Sequence, residues 1–387
     1  MEPVTQALLG AATAEWVAGK SLGHGRALGW GAIIGMSPDI DVLLGPLRDG
    51  YGEWLYHRGT THSLWFGFVV GPILGTLLWK WRDPEAKAPI GAWIGLAIAA
   101  LVTHPLLDGF TPYGTQFFAP FSRVRFAWNG VAIVDPIYSS LLAFGVFAVL
   151  SARFRPERKR RILTAALVFS TLYLLFGVGM HGLITRDLTH ALKETNPRLQ
   201  IESVRAYPTI FQPWLRSFVA RTNEGLYTGL HSWQEWNCPS WQVHAAATTA
   251  PEGQEMLATW EGALLLWFAD GDLGIFAEPT QTNSKRPRRS TPITVRLEDL
   301  RYGWASPNAR GMWGLEAKFL NGERISPIRR IARPTPTAMD ASRIGGLLLG
   351  RLPKASSVTS GKTGWHRPEH CTENAAHSQT AQRGPAR

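Results

Sequence analysis

Four long segments without a charged residue dominate the first half of the chain. They run from Gly59 to Trp79, from Ala88 to Leu107, from Pro136 to Ala152 and from Ile162 to Thr185, and each contains 17 to 24 residues. A helix needs about 20 mostly apolar residues to cross the hydrocarbon core of a bilayer. Because buried helices of soluble proteins rarely run this far without a charge, the pattern predicts four membrane-spanning helices.

Two weaker apolar elements precede these spans. Val4 to Ala18 contains few polar residues, and Ala27 to Leu44 is apolar until it reaches Ser37-Pro38-Asp39-Ile40-Asp41. We expect each element to be a short span or a half-inserted helix, so that the bundle has four to six spans. The first element is not expected to be a signal peptide, because it lacks both a basic leading segment and a small-residue cleavage site.

Basic residues in the short loops predict the orientation of the bundle. The loops at 19–26, 80–87 and 153–161 carry 11 Lys and Arg residues, whereas the loops at 45–58 and 109–130 carry 4. Loops rich in Lys and Arg stay in the cytoplasm. The net charge of +11 is therefore interpreted as a topology signal, and the rival interpretation, nucleic-acid binding, is not favoured. We expect no nucleic-acid partner.

The character of the chain changes after about Thr185. Short β-prone runs separated by turns fill the segment from Ile201 to Trp241, and further strands are predicted for Ala263–Phe268, Ile293–Leu297 and Leu315–Leu320. The predicted fold is an all-α integral membrane bundle (1–190), followed by a small soluble α+β domain (195–335) and a disordered tail (336–387).

The cysteine content limits the disulfide and metal chemistry that the sequence allows. The chain has only two cysteines, Cys238 and Cys371. Two cysteines exclude a disulfide framework and a zinc cage built from cysteines.

The ionisable residues of the membrane half are few and fall at one predicted membrane face. Histidine and carboxylate together are the ligands that zinc and manganese take when thiolates are absent. Each residue taken alone is better explained as a solvated side chain or a helix cap. Their convergence instead favours a metal site, with a proton or ion pathway as the competing function. The candidate ligands are Asp39, Asp41, His57, His62, His104, Asp108 and Asp135.

The spacing of these residues predicts how they share the site. His104 and Asp108 are four apart and lie on one helical face, although Pro105 falls between them. His57 and His62 are five apart, so we expect His57 in a loop and His62 in the first turn of the next span. Of the pair Asp39 and Asp41, one is expected to bind the metal and the other to orient a histidine.

These motifs resemble the LexA-binding, inner-membrane-associated hydrolase family, whose members are also described as metal-dependent hydrolases. The resemblance covers about residues 1–180 and is carried by Thr5 to Gly10, by Pro-Asp-Ile-Asp at 38–41, by His-Arg-Gly-Thr-Thr-His-Ser at 57–63, and by His104 with Asp108. The pattern is also distantly similar to zinc-dependent phospholipase C.

The resemblance implies a ligand set but leaves the number of metal ions open. Many family members carry histidine where this chain has Gln6, so one metal ion or two is possible. The implied metal ligands are His57, His62, His104 and Asp108, joined by Asp39 or Asp41.

Together these observations predict a membrane-bound, metal-dependent hydrolase of the inner membrane, with its C-terminal domain outside the cytoplasm. The metal is expected to be zinc, with manganese as the alternative, and Asp41 or Asp39 is the expected general base. The expected substrate is an ester or phosphoester, and a site at the interface suits a membrane lipid or lipid-linked substrate. The alternative is a non-enzymatic membrane protein, either a transporter or a regulatory partner. An inverted repeat, typical of transporters, is not apparent.

Overall fold

The computed structural model describes residues 1–81, 88–210, 214–233, 236, 238–244, 250–279, 292–302, 311–331, 366–368 and 371. The chain divides into two compact units. The first comprises Met1–Met180 and Ile210–Pro213, and the second His181–Thr209 and Trp214–Arg387. The predicted fold class is confirmed: apolar helices come first, and a small strand-rich α+β unit follows.

The first unit is helical. Two short 3₁₀ segments, Ser37–Leu44 and Thr60–His62, interrupt its helices. The helices are α1 (Pro3–Leu22), α2 (His24–Met36), α3 (Gly52–Tyr56), α4 (Leu64–Trp81), α5 (Ile90–Gly109), α6 (Pro136–Leu150) and α7 (Pro156–Thr195), of which the last continues into the second unit.

Four segments in the described part of the chain are long and apolar enough to cross a membrane: His24–Leu44, Leu64–Trp81, Ile90–Gly109 and Pro156–Thr195. Helix α6, expected as a full span, has 15 residues and is therefore only about 22 Å long. The segment formed by α2 and its 3₁₀ extension reaches the required length instead. Large apolar side chains on α4, α6 and α7 stay exposed, as lipid-facing residues do, including Phe68, Ile73, Phe144, Phe147 and Leu172.

Small residues let the helices of this unit approach closely. A Cβ atom at Gly10 of α1 would lie 2.8 Å from Cα of Gly35 of α2, so that only glycine fits there. On α4, a row of glycines at four-residue spacing faces α5, and a Cβ at Gly75 would lie 2.6 Å from Cα of Ile94. Such small-residue contacts are typical of packed membrane helices. The close packing brings the start of α4 beside the end of α5.

The second unit contains two antiparallel sheets. The first has the strand order β1-β2-β3-β4 and the second β5-β6-β7-β8, with β9 also paired to β7. The strands are β1 (Ile201–Pro208), β2 (Leu215–Thr222), β3 (Gly225–Ser232), β4 (Ser240–His244), β5 (Leu273–Pro279), β6 (Ile293–Asp299), β7 (Gly314–Leu320), β8 (Glu323–Arg324) and β9 (Arg329–Arg330), and the helices are α8 (Pro251–Leu257) and α9 (Trp260–Phe268).

The predicted strand at Ala263–Phe268 is wrong, because these residues form the body of α9. The side chain of Thr259 caps this helix by accepting a hydrogen bond from the backbone N–H of Gly262 (3.2 Å). The run consists largely of alanine and leucine, which favour helix, and a continuous apolar run suits a buried helix as well as a buried strand. The strands predicted at Ile293–Leu297 and Leu315–Leu320 are present as β6 and β7.

A disulfide joins Cys238 to Cys371 across 133 residues of sequence, with 5.7 Å between the Cα atoms. Two backbone hydrogen bonds between Trp241 and His366, of 3.0 and 2.7 Å, lie close to it. The sequence prediction did not include this covalent link. Most of the tail predicted to be disordered, 336–387, lies outside the described residues. Its described positions, 366–368 and 371, include His366, which pairs with Trp241 of β4, and Cys371, which is cross-linked to Cys238.

Candidate metal centre

Four side chains from three segments place their ligand atoms in one buried group. Asp39 comes from the 3₁₀ segment after α2, His62 ends the 3₁₀ turn before α4, and His104 and Asp108 lie on the last turns of α5. One ligand atom from each lies within 4.8 Å of all the others. Solvent reaches Asp39, whose side chain is 21% exposed, whereas the other three are fully buried.

The two histidines face each other through the same ring nitrogen. Nε2 of His62 lies 3.0 Å from Nε2 of His104. Oδ1 of Asp39 lies 3.2 Å from the first nitrogen and 3.5 Å from the second. Oδ2 of Asp108 lies 3.4 and 3.6 Å from the same two atoms. The site therefore presents two nitrogen and two carboxylate oxygen donors to one point.

Hydrogen bonds on the far side of each ring set the proton positions. Nδ1 of His104 donates to the backbone carbonyl of Gly35 at 2.5 Å, and a carbonyl can only accept. Nδ1 of His62 lies 3.1 Å from Oδ2 of Asp41, which also fixes it as the donor. With a proton on Nδ1 alone, each neutral ring turns the lone pair of its Nε2 towards the other ring; Nε2 of His62 also lies 3.2 Å from Oδ1 of Asp39, to which it donates when it is protonated. A cation between the two lone pairs removes their repulsion, so the residues present fit a metal ion.

Asp41 positions the cluster. Its Oδ1 accepts from Nδ1 of His57 (2.7 Å), and its Oδ2 accepts from the hydroxyl of Thr61 (2.8 Å) and the backbone N–H of Arg58 (3.1 Å) as well as from His62. Asp41, His57 and His62 also form a second group of possible ligands. The two groups share His62, so the geometry is compatible with one ion or with two.

His57 is the most solvent-accessible histidine of the two groups. Burial lowers the pKa of His57 and the charge of Arg58 lowers it further, although Asp41 opposes this. A lowered pKa keeps the imidazole neutral, which is the form that binds metals or accepts a proton.

Arg58 contributes a positive charge that the sequence prediction did not assign. It is buried, its Nε lies 3.2 Å from Oδ2 of Asp108, and its Nη1 donates to the hydroxyl of Thr111 at 2.7 Å. The guanidinium also stacks over the ring of Tyr113, 4.6 Å from its centroid. The backbone of Arg58 has a φ of 61°, a left-handed conformation that nothing in the sequence indicates. One signal was available: Arg58 directly follows His57 in the motif.

Gln6 reaches the site as well, at the position where many members of the resembled family carry histidine. It is buried, and its Nε2 donates to Oδ1 of Asp108 at 3.0 Å. Asp108 is thus held through one oxygen by Gln6, while its other oxygen faces the two histidines.

The structure does not bring Asp135 to either group. Its Oδ1 accepts from the backbone N–H groups of Ile137 and Tyr138, both at 3.1 Å, and so caps the start of α6. Its Oδ2 accepts from the hydroxyl of Tyr173 at 2.8 Å. These contacts account for both oxygens of this buried carboxylate.

Comparison with known proteins identifies relatives of this chain. Inner membrane protein YbcI of Escherichia coli (strain K12) is 36% identical over 113 residues, which are 26% of this chain and 63% of YbcI. The chain thus spans less than two thirds of that relative. Uncharacterized protein YfhP of Bacillus subtilis (strain 168) is 29% identical over 251 residues, 62% of this chain and 72% of YfhP. No solved structure matches the chain significantly.

A match to a known protein family agrees with the presence of the apolar helices. The match covers nearly all of the helical unit and supports a location in an inner membrane. It does not extend to hydrolase activity, which stays a prediction. Residues 1–183 of this chain match the family described as YdjM inner membrane protein.

Proposed function

We propose that this protein is an inner-membrane, metal-dependent hydrolase of esters or phosphoesters. The observation that carries the proposal is the opposition of two histidine nitrogens, 3.0 Å apart, between two carboxylates in a buried site. Asp39, His62, His104 and Asp108 would hold a divalent cation, zinc by their chemistry and manganese as the alternative. Such an ion lowers the pKa of water and polarises the oxygen of an ester or phosphoester.

The two carboxylates predicted as general bases take different roles. Both oxygens of Asp41 accept hydrogen bonds from neighbouring groups, so we assign Asp41 to the positioning of His57 and His62. Asp39 is the solvent-accessible carboxylate of the donor group, and only its Oδ1 faces the two histidines. We therefore assign proton acceptance from water to Asp39 through its other oxygen, Oδ2.

We place the second unit outside the cytoplasm. The basic residues favour one set of loops by 11 to 4, and this bias predicts the orientation. The disulfide between Cys238 and Cys371 supports the same placement independently, because disulfides persist in oxidising compartments. Reporter fusions after Arg161 and after Arg198 should report the cytoplasm and the periplasm respectively. A cytoplasmic signal from both would contradict the placement.

The hydrolase proposal is tested with full-length protein in detergent, using bis(p-nitrophenyl) phosphate and p-nitrophenyl butyrate as probes. We expect chelation to abolish hydrolysis of at least one probe, and Zn²⁺ or Mn²⁺ to restore it. Asp39→Asn should lower kcat by roughly 100-fold or more, as expected when a general base is lost. Asp49→Asn, in an exposed loop, is the matched control and should retain full activity.

Activity that survives both chelation and Asp39→Asn would contradict the proposal. A protein that binds metal but hydrolyses neither probe would instead favour the non-enzymatic class, a transporter or a regulatory partner.

A further inference from the structure

A small cavity borders Asp41, on one side of the candidate metal centre. It has a volume of about 150 Å³. This is well below the roughly 300–1,000 Å³ of pockets that enclose a whole drug-sized ligand. The cavity can therefore accept only a part of a substrate, such as a polar headgroup. Its lining includes Asp41, Leu44, Thr60, Gln116, Ser122 and Arg123.

Gln116, which lines the cavity, carries a buried hydrogen-bond donor. Gln116 is 3% exposed, and its Nε2 makes no hydrogen bond to any of the described residues. A buried amide without a partner is unfavourable unless a ligand or water accepts its hydrogen bond. The backbone of Gln116 is fixed by donation from its N–H to the carbonyl of Arg58 at 3.0 Å. The donor is therefore held next to the motif that supplies the metal-site histidines.

The charges around the cavity favour an anion. Arg123 supplies a guanidinium, whose planar array of N–H donors matches phosphate oxygens. The opposing carboxylate, Asp41, is buried, and both of its oxygens already accept hydrogen bonds from His57, Arg58 and Thr61. Hydroxyl groups of Thr60 and Ser122 complete a polar lining that suits a phosphate group.

The rim of the cavity is apolar and exposed. Leu44 is 41% exposed and Phe121 is 81% exposed, and they come from the two chain segments that flank the cavity. Leu44 ends the apolar segment His24–Leu44, which is long enough to span a membrane. Exposed apolar side chains with an arginine beside them are typical of a surface at the boundary between headgroups and acyl chains.

We propose that this cavity binds the phosphate-bearing headgroup of an anionic membrane lipid, with Gln116 and Arg123 donating to phosphate oxygens and the acyl chains lying against Leu44 and Phe121. The inference rests on the proposed function, because it names the substrate class of the same site. It assigns Gln116 and Arg123 to substrate selection and gives neither a part in metal binding.

The test measures binding of dioctanoyl phosphatidic acid to the full-length protein in detergent by native mass spectrometry. Dioctanoylglycerol, which lacks the phosphate, and inorganic phosphate, which lacks the acyl chains, are the comparison probes. We expect phosphatidic acid to bind at least about tenfold more tightly than either, since hydrogen bonds to a charged group are worth about that factor. Gln116→Met and Arg123→Ala should each remove about tenfold of this affinity, whereas Arg26→Ala, an exposed arginine away from the cavity, should not.

Each contrary result overturns the inference. Equal binding of dioctanoylglycerol would show that the phosphate is not recognised. Equal binding of inorganic phosphate would show that the acyl chains are not recognised. Unchanged binding by Gln116→Met and Arg123→Ala would show that the lipid does not bind in this cavity. Helical circular dichroism and metal content, measured on the same samples, confirm that each variant is folded. Full metal content without lipid binding rejects this inference alone, whereas absence of metal from the wild type rejects the proposed function.

Discussion

The helical unit and the strand-rich unit both contain buried ion pairs, but among the described residues only the helical unit also gathers His and Asp ligand atoms in one group. In the second unit, Nη2 of Arg301 lies 2.7 Å from Oδ2 of Asp299, and both residues are buried. Burial alone would lower the pKa of Arg301, but Asp299 raises it above its ordinary value. Tyr207 donates to the buried Asp272 in the same way. Such pairs need nothing from outside the protein.

The cluster in the helical unit differs because it brings ligand atoms of two histidines and two carboxylates to one point. Nδ1 of His62 faces Asp41 and Nδ1 of His104 donates to Gly35, and the two Nε2 atoms face each other. Asp39 and Asp108 add carboxylate oxygens at the same point. Buried charge is therefore weak evidence of function by itself, whereas the convergence of four His and Asp ligand atoms is a group that could hold a metal ion.

The largest predicted effect is a loss of stability in the second unit. Asp299→Asn removes the charge that balances the buried Arg301, so we expect the free energy of unfolding of this unit to fall by about 3–5 kcal/mol. Thermal unfolding followed by near-ultraviolet circular dichroism measures the loss, and metal content should not change.

The control for this variant is Glu255→Gln, which breaks an exposed pair with Arg324 at 3.5 Å. An exposed pair contributes about 0–1 kcal/mol, so the control should unfold almost like the wild type. Equal destabilisation by Asp299→Asn and Glu255→Gln would show that the buried pair has no special weight.

A smaller effect is expected at the residue that orients the metal-site histidines. Asp41→Asn keeps the shape of the side chain but weakens its hold on His57 and His62. Loss of such an orienting group typically lowers metal affinity about 10–100-fold. Titration with Zn²⁺ in a competing chelator measures this, and Asp49→Asn is the exposed control. Unchanged affinity in Asp41→Asn would contradict the positioning role.

The sequence predicted much of this architecture, because its signals were local. Charge-free length identified the apolar helices, and the spacing of His104 and Asp108 placed both on one face of α5, which continues through Pro105. The predicted topology placed Asp39 and His62 at the same membrane face as that pair. Contacts that depend on packing were not predictable: the ion pair of Arg58 with Asp108 and the pairing of Cys238 with Cys371 join residues distant in sequence.

The α9 and α6 results show where local patterns are ambiguous. A short apolar run fits a buried strand or a buried helix, and the cap at Thr259 decides for helix in α9. A charge-free run also does not report where the helix inside it ends, and α6 ends at Leu150 after 15 residues. An aspartate before a proline was open to two interpretations, ligand or cap, and Asp135 is placed as a cap.

The smallest effect is predicted at Asp135, where the two interpretations give different results. As the N-cap of α6, Asp135→Ala should lower stability by about 0.5–2 kcal/mol. Metal content should equal that of the wild type, because both oxygens of Asp135 are engaged by Ile137, Tyr138 and Tyr173. Loss of metal in Asp135→Ala would return this residue to the ligand set.

The most direct test of the central claim is the metal content of purified protein, measured by inductively coupled plasma mass spectrometry after dialysis. We expect at least about one divalent ion per chain in the wild type. His190→Ala, which removes a histidine that is 74% exposed, should retain the ion, whereas His62→Ala should lose it while the helical signal persists. Equal metal content in all three proteins, or none in the wild type, would contradict the metal centre.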